Sequence, residues 1–280
     1  MQIPKWPFAG EREIELLREV LASGQWGGFH ELVGQFERSF AMFQQCRWGV
    51  SAFNGTVALE MALTVAGFGP GDEIIIPAIS FISTATAVSR VGATPVFVDI
   101  EPYTFNMYPE RARAAISPKT RAIVVVHFGG PMAHMDRFVG LTQQRGLILI
   151  EDAAHAHGSE WNGRRAGGFG LTGSFSFQNG KVITAGEGGL LTTGDEDFAA
   201  RLRSFANQGR REGENFFHHF TLGTNFRMTA LQAAVLTAQL ERLPEQILLR
   251  RRNAALLAAE IAGVDGIFLQ QWPVEAAVHS

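Results

Sequence analysis

A lysine follows a tight turn between two short apolar segments in the second half of the chain. Residues 174–177 alternate small polar and large aromatic side chains, which predicts a short half-buried strand. Residues 178–180 are typical of a turn, Lys181 comes next, and residues 190–193 predict a second strand. A lysine amine that is partly removed from water loses its proton more easily and can then attack a carbonyl carbon. Lys181 is therefore a candidate nucleophile, and the alternative is a surface lysine on a hairpin.

A carboxylate ends another apolar segment, residues 146–152. Burying Asp152 at a strand end is costly unless the carboxylate meets a cation. One interpretation is a structural salt bridge or a helix cap, and the other is a carboxylate that holds a protonated ring nitrogen. His155 and His157 follow closely, so a metal pair is a third alternative. No cysteine cluster or HExxH spacing supports it, and no metal site is predicted.

A possible anion site lies nearer the N-terminus. Residues 49–53 predict a strand that stops at Asn54, and residues 57–66 predict a helix. Helix N-termini expose unpaired amides and the positive end of the helix dipole, which favours phosphate. Gly55 allows close approach of the backbone to a ligand, and Thr56 adds a hydroxyl. The alternative is an ordinary helix cap.

Strands and helices alternate through the first half of the chain. Strands are predicted at residues 72–77, 94–99, 121–127 and 146–152, and helices at 83–91, 109–116 and 135–143. Continuous apolar strands indicate a mainly parallel sheet with helices on both faces, that is, an α/β fold. Ligands bind outside the carboxyl ends of such strands. Thr56, Phe81, His127, Asp152 and His155 are therefore expected at one rim.

Two further stretches affect the fold prediction. The GxGxxG pattern at residues 168–173 follows a polar segment and precedes a strand, so it is interpreted as a loop and not as a dinucleotide site. Residues 207–224 predict a long loop. Pro244 is expected to separate a helix at 230–243 from another that reaches about residue 262. The predicted division is a large domain at 1–245 and a linking helix with the start of a second domain at 246–280.

Composition excludes several classes of protein. Of the 280 residues, 46% are hydrophobic and 18% are charged, which indicates a globular chain, and the net charge of −3 argues against nucleic acid or an anionic membrane as a partner. Cys46 has no second cysteine with which to pair. Residues 1–8 lack the apolar core of a signal peptide, and no apolar run could span a bilayer. A soluble cytoplasmic protein is expected.

The order of these motifs resembles one enzyme family. A Gly-Thr helix start, an aromatic residue after a strand that ends in proline, and Asp152 at a strand end precede the motifs FSFQNGK at 175–181 and GTNFR at 223–227. From about residue 6 to residue 280 the chain resembles the DegT/DnrJ/EryC1/StrS aminotransferases. Within that family it is most similar to cyclitol aminotransferases and 3-amino-5-hydroxybenzoate synthases.

The resemblance implies a cofactor, a fold and a reaction. The cofactor is pyridoxal 5′-phosphate, and the fold is the three-layer α/β/α large domain of fold type I. The reaction moves an amino group from glutamine or glutamate to a keto-sugar or keto-cyclitol, in secondary-metabolite or polysaccharide biosynthesis. The alternatives are an aromatising enzyme similar to 3-amino-5-hydroxybenzoate synthase, or a non-catalytic module that binds the cofactor. Members continue for roughly another hundred residues as a small domain, which is expected to be largely missing here.

The resemblance also implies roles for individual residues. Lys181 would hold the cofactor as a Schiff base and later move a proton, while Asp152 would pair with the pyridinium nitrogen. Phe81 would stack on the ring, and His155, where many members have glutamine, would lie near the ring hydroxyl. The expected phosphate ligands are Gly55, Thr56 and Ser176, joined by Asn225 from a neighbouring subunit, which requires a homodimer.

Overall fold

The structure, a computed structural model, describes residues 5–277. The first four residues of the N-terminal stretch and the last three of the predicted segment 246–280 lie outside the described residues. The helices are α1 (Glu11–Ser23), α2 (Glu31–Phe43), α3 (Gly55–Val65), α4 (Ser83–Arg90), α5 (Pro109–Ala114), α6 (Met135–Arg145), α7 (Glu196–Ala206) and α8 (Ala230–Ile261). The strands are β1 (Trp48–Ala52), β2 (Glu73–Pro77), β3 (Thr94–Val98), β4 (Thr120–Val126), β5 (Ile148–Asp152), β6 (Glu160–Trp161), β7 (Arg164–Arg165), β8 (Thr172–Ser176), β9 (Gly189–Thr193) and β10 (Ala276–Ala277).

Seven strands form the central sheet in the order β1-β9-β8-β5-β4-β2-β3. β9 runs antiparallel to β1 and β8, and the remaining neighbours are parallel. Successive side chains face opposite sides, so Ile75 and Ile123 join one core cluster while Ile74 and Val124 join another. The first cluster packs against α2, α5, α6 and α8, and the opposite face packs against α3, α4 and α7. The predicted α/β/α fold with a mainly parallel sheet is confirmed.

The strand before the lysine is more deeply buried than its alternating sequence predicted. All five residues of β8 are buried, and Phe175 is completely inaccessible. β8 lies between β5 and β9 in the interior of the sheet, where helices cover both faces. The interpretation of a half-buried strand was therefore wrong, because its small serines also face protein.

Helix α8 continues through the proline that was expected to end it. Pro244 lies inside the 32-residue helix, where it leaves the carbonyl of Leu240 without its helical donor. The neighbouring side chains of Leu243 and Ile247 are buried in the main core, and their burial offsets the lost hydrogen bond. The predicted domain boundary after residue 245 falls inside this helix, and the division into two domains stays a prediction.

The chain after α8 returns to contact β6 and the loops at residues 103–104 and 128. We call residues 269–277 the C-terminal strap. Its last two described residues, in β10, pair with β6, and the amide of Asn162 donates to the carbonyl of Glu275 at 2.7 Å. Elsewhere, the long loop predicted at residues 207–224 is confirmed. Among residues 5–277, no helix combines the length and the apolarity needed to cross a membrane.

Candidate active site

Asp152 is held in a fixed orientation at the carboxyl end of β5. Its Oδ2 accepts a hydrogen bond of 2.7 Å from the hydroxyl of Thr84 in α4, and its Oδ1 accepts one of 3.3 Å from the amide of Ala154. The hydroxyl of Ser80 lies 2.6 Å from that of Thr84 and extends the network. Only 6% of Asp152 is exposed. The carboxylate is therefore oriented from both sides before any ligand arrives.

Lys181 lies in the turn after β8, next to this carboxylate. Its backbone amide donates to the carbonyl of Gln178 at 2.9 Å, which closes the turn. Burial lowers the pKa of the Lys181 amine, and the negative charge of Asp152 acts in the opposite direction. A lysine whose pKa is lowered has a larger neutral fraction, which is the form that attacks a carbonyl. This environment favours the interpretation of Lys181 as a nucleophile over that of a solvated surface charge.

The predicted phosphate ligands lie together at the N-terminus of α3. Asn54 caps this helix, its side chain accepting a backbone hydrogen bond from the first turn. A Cβ atom at Gly55 would come within 2.7 Å of Ser176 Cβ, so the helix start touches the end of β8 directly. The hydroxyl of Thr56 lies 2.6 Å from that of Ser83, the first residue of α4. Amides at a helix start and hydroxyl groups on two elements form a cradle with the chemistry of an anion site.

Phe81 stands at the same rim, between β2 and α4. Phe81 is 70% exposed, so one face of its ring is accessible to a ligand. Its carbonyl accepts a hydrogen bond of 3.2 Å from the amide of Thr84, the residue that orients Asp152. The position suits the stacking role that the sequence suggested, and that role stays a prediction.

His155 and His157 have different environments. His155 Nδ1 accepts a hydrogen bond of 3.2 Å from the amide of Gly129, and burial followed by the charge of Lys181 lowers the pKa of its ring. His157 is fully buried and its Nε2 lies 3.0 Å from the carbonyl of Ser176, to which it donates. Burial and then Lys181 lower the pKa of His157 to about 3. Both rings are neutral near neutral pH.

His127 does not reach the rim, so this expectation was wrong. Its ring is completely buried, with Nε2 lying 3.2 Å from the carboxylate of Glu151 and Nδ1 accepting from the amide of Ala133 at 3.2 Å. A histidine that follows a buried strand can satisfy both nitrogens within the core. The residue that sequence reasoning missed is its partner, Glu151. The pair Glu151-Asp152 could have indicated it, because successive strand residues face opposite sides of the sheet and only one of the two carboxylates can face the cofactor side.

Glu151 organises the glycine-rich loop between β7 and β8. Its carboxylate accepts hydrogen bonds from the amides of Gly167 at 2.8 Å, Phe169 at 2.7 Å and Gly170 at 3.1 Å. A side chain at Gly170 would come within 2.2 Å of the carbonyl of Leu149, so the loop lies tightly against β5. The interpretation of GxGxxG as a loop is confirmed, and its amides are directed to a protein carboxylate and not to a dinucleotide.

Asn225, the remaining predicted phosphate ligand, directly follows the long loop. It is exposed, and its backbone pairs with that of Asn207 in the long loop. The structure of a single chain therefore brings together Lys181, Asp152 and the helix cradle, while the backbone of Asn225 is tied to the long loop. Across residues 5–277, no three potential His, Cys, Asp or Glu ligands converge as a metal site would require.

The assembled groups fit pyridoxal 5′-phosphate. A cradle of amides and hydroxyls matches its phosphate, an oriented carboxylate matches its ring nitrogen, and a lysine of lowered pKa matches its aldehyde. The fit is tight at Gly55, where the contact with Ser176 leaves no room for a side chain. Fold and site together define an aminotransferase of the pyridoxal-phosphate class.

Comparisons with known proteins agree. The chain is 40% identical over 284 aligned residues to 3-amino-5-hydroxybenzoate synthase of Amycolatopsis mediterranei, covering 100% of this chain and 73% of that protein. It is 41% identical over 269 residues to the putative L-glutamine:3-amino-2,3-dideoxy-scyllo-inosose aminotransferase of Streptoalloteichus tenebrarius, covering 94% and 64%. A crystal structure of 3-amino-5-hydroxybenzoic acid synthase superposes with a TM-score of 0.96 at 39% identity, covering 99% of this chain and 73% of that one.

Residues 7–280 match the DegT/DnrJ/EryC1/StrS aminotransferase family, and the chain belongs to it. The family resemblance, the aminotransferase class and the pyridoxal-phosphate cofactor that the sequence suggested are thereby confirmed. The assignments of individual site residues stay predictions, supported by where the structure places them.

Proposed function

We propose that this chain transfers an amino group from glutamine or glutamate to a keto-sugar or keto-cyclitol. The observation that carries the proposal is the pair of Lys181 and Asp152, partly or fully buried beside an anion cradle. Relatives named as glutamine:inosose aminotransferases support the class of donor and acceptor. A cytoplasmic location belongs to the same proposal.

Lys181 carries the proton chemistry in this scheme. Lys181 would hold the cofactor aldehyde through its neutral Nζ, and burial increases the fraction of the amine that is neutral. When bound, pyridoxal phosphate withdraws electrons from the carbon that bears the amino group, so that carbon becomes acidic. The free Lys181 amine would then serve as the base and acid that moves this proton.

Other residues would hold the cofactor in position for that transfer. Asp152, oriented by Thr84, would accept a hydrogen bond from the protonated ring nitrogen and keep it protonated. Gly55, Thr56 and Ser176 would bind the phosphate. Phe81 would cover one ring face and His155 would approach the ring hydroxyl, so that both side chains would fix the plane of the ring.

We also propose a homodimer in which Asn225 reaches the phosphate of the partner's cofactor. The long loop exposes 80% of Phe217 and 96% of Leu222, an apolar surface that suits an interface. Arg210 and Arg227 both donate to the single carboxamide oxygen of Asn207, at 3.4 and 2.8 Å. Burial, then the charge of Arg210, lowers the pKa of Arg227. An anion from a second copy of the chain would relieve the repulsion between the two guanidinium groups.

The first experiment tests the cofactor site. Purified protein is incubated with pyridoxal phosphate, reduced with borohydride and digested, and the labelled peptide is identified by mass spectrometry. We expect the label on Lys181, and loss of the label in Lys181→Ala; the exposed Lys119 serves as the matched control in Lys119→Ala. Labelling elsewhere would refute the assignment. Release of a keto acid from glutamine or glutamate then tests the first half-reaction, and its absence with both donors would contradict the proposed activity.

The second experiment tests the dimer. Sedimentation of the wild type should give twice the mass of the chain, and Leu222→Asp should give the single-chain mass because it buries a charge in the interface. Phe268→Asp, at a side chain that is 90% exposed elsewhere, is the control. A single-chain mass for the wild type would remove the proposal for Asn225.

One relative favours a second candidate. The 40% identity to 3-amino-5-hydroxybenzoate synthase extends over the whole chain. An aromatising elimination on an amino-shikimate-type substrate would use the same Lys181 and Asp152. Product analysis with that substrate and with a keto-cyclitol separates the two reactions, since only the aromatising elimination gives an aromatic product.

A further inference from the structure

His155 is oriented by a short loop at the carboxyl end of β4. We call residues 128–130 the rim loop. The amide of Gly129 donates to His155 Nδ1 at 3.2 Å, and the ring of Phe128 packs edge-on against the His155 ring with centroids 6.1 Å apart. Because Nδ1 accepts this hydrogen bond, the proton of the neutral ring lies on Nε2. The rim loop therefore selects the tautomer of His155.

The rim loop is itself held by a residue from far along the chain. Gln270, in the C-terminal strap, donates through Nε2 to the carbonyl of Phe128 at 3.1 Å and to that of Thr104 at 2.7 Å. Its Oε1 lies so close that a Cβ atom at Gly129 would be 3.1 Å away. One carboxamide thus covers the peptide unit that contacts His155.

The loop before α5 supports the same arrangement. The side chain of Asn106 accepts from the amide of Phe128 at 2.9 Å and donates to the carbonyl of Pro131 at 3.0 Å. Phe105 packs edge-on against Phe128 with ring centroids 6.4 Å apart. The amide of Gln271 donates to the carbonyl of Tyr103 at 2.8 Å and fixes the strap alongside. The side chain of Asn106 therefore holds the amide of Phe128, and the side chain of Gln270 in the C-terminal strap holds its carbonyl.

We propose that Gln270 is a positioning residue for His155. By holding the carbonyl of Phe128, it keeps the amide of Gly129 aligned with Nδ1 and presents Nε2–H of His155 toward the cofactor. The charged groups that act on the His155 ring are Lys181 and Asp152, with opposite effects on its pKa. The link to the cofactor rests on the proposed function, whereas the tautomer of His155 is a property of the cofactor-free protein.

The test uses Gln270→Leu, which keeps the size of the side chain and removes both donors. The matched control is Gln271→Leu, whose backbone contact to Tyr103 is retained. Nitrogen NMR of the cofactor-free protein reports the His155 tautomer, with the signal assigned by its loss in His155→Gln. We expect Nε2–H in the wild type and the control. In Gln270→Leu we expect a mixture of tautomers and about tenfold faster exchange of the Gly129 amide.

An unchanged tautomer and unchanged amide exchange in a folded Gln270→Leu protein would overturn the proposal. If that variant does not fold, Gln270→Glu is measured instead, because a carboxylate cannot donate to the carbonyl of Phe128 and is expected to give the same mixture. Gln270→Leu should weaken binding of the cofactor by roughly five- to tenfold, the equivalent of one hydrogen bond. The same substitution should not change cofactor binding in a protein that already carries His155→Gln. A changed tautomer in the cofactor-free protein supports the proposal even where the proposed activity fails.

Discussion

Acidification should destabilise this protein through His157, because the folded chain holds that ring neutral. The pKa of His157 is lowered from 6.5 to about 3, first by burial and then by the charge of Lys181. Its Nε2 donates to the carbonyl of Ser176, and among the described residues Nδ1 has no hydrogen-bond partner. Protonation would place a second donor in a cluster of aromatic rings without an acceptor for it.

The sign and size of the effect follow from linkage. The folded pKa lies below the unfolded one, so the unfolded chain binds the proton first as the pH falls through about 6.5. Stability from this residue is complete above that pH and decreases progressively toward the folded value near 3. Between about pH 6.5 and about pH 5, the cost is about 2 kcal/mol, since one pH unit corresponds to about 1.4 kcal/mol.

The assay is urea unfolding of the cofactor-free protein at about pH 7 and about pH 5. The loss of stability on acidification should be smaller by about 2 kcal/mol in His157→Gln, which keeps a donor for the carbonyl of Ser176. Other titrating groups contribute equally to both proteins and cancel. His218→Gln, at an exposed position, is the matched control. Equal acid sensitivity of the wild type and His157→Gln would refute the reasoning.

Three further changes have defined outcomes. Gly55→Ala should weaken cofactor binding at least about tenfold, because the new methyl group enters the cradle. Gly140→Ala, which has open space around it in α6, should not change cofactor binding. Equal affinities of the two variants in an absorbance titration would contradict the cradle. Thr84→Val removes the donor that orients Asp152 and should lower kcat about tenfold in steady-state assays, so an unchanged kcat would show that this hydrogen bond is dispensable. Pro244→Ala restores a helical N–H and should raise the free energy of unfolding by about 1–3 kcal/mol, and a loss of stability in urea would count against it.

Local sequence patterns located most of the scaffold. Apolar runs and turn residues predicted the parallel strands and their helices to within a few residues, because strand and helix periodicities depend on the chain itself. Pro244 shows the limit of that reasoning. Whether a helix continues through a proline depends on the packing of Leu243 and Ile247 against distant elements, which no local window contains.

Within the candidate site, sequence patterns identified the residues that belong to a recognisable local motif. Lys181 stood out because it follows a tight turn between two strands, and Asp152 because it ends an apolar strand. His127 was misplaced and Glu151 was overlooked, since the partner of a buried polar group is known only after strands are paired. Gln270 carried no motif at all, and its contacts depend on the path of the C-terminal strap.

The adjacent carboxylates of β5 make this strand unusually sensitive to a slip of one residue. Glu151 faces the glycine loop and Asp152 faces the lysine, a division set only by the alternation of the pleat. A slip of β5 by one residue would bring Asp152 to the position that faces the glycine loop, and Ala153, which has no carboxylate, to the position that faces the lysine. The three loop amides would then meet a shorter carboxylate, and the lysine would lose the carboxylate that Thr84 holds. Such a slip would therefore disable the chemistry and the scaffold together. Glu151→Gln and Asp152→Gln would instead affect the scaffold and the chemistry one at a time.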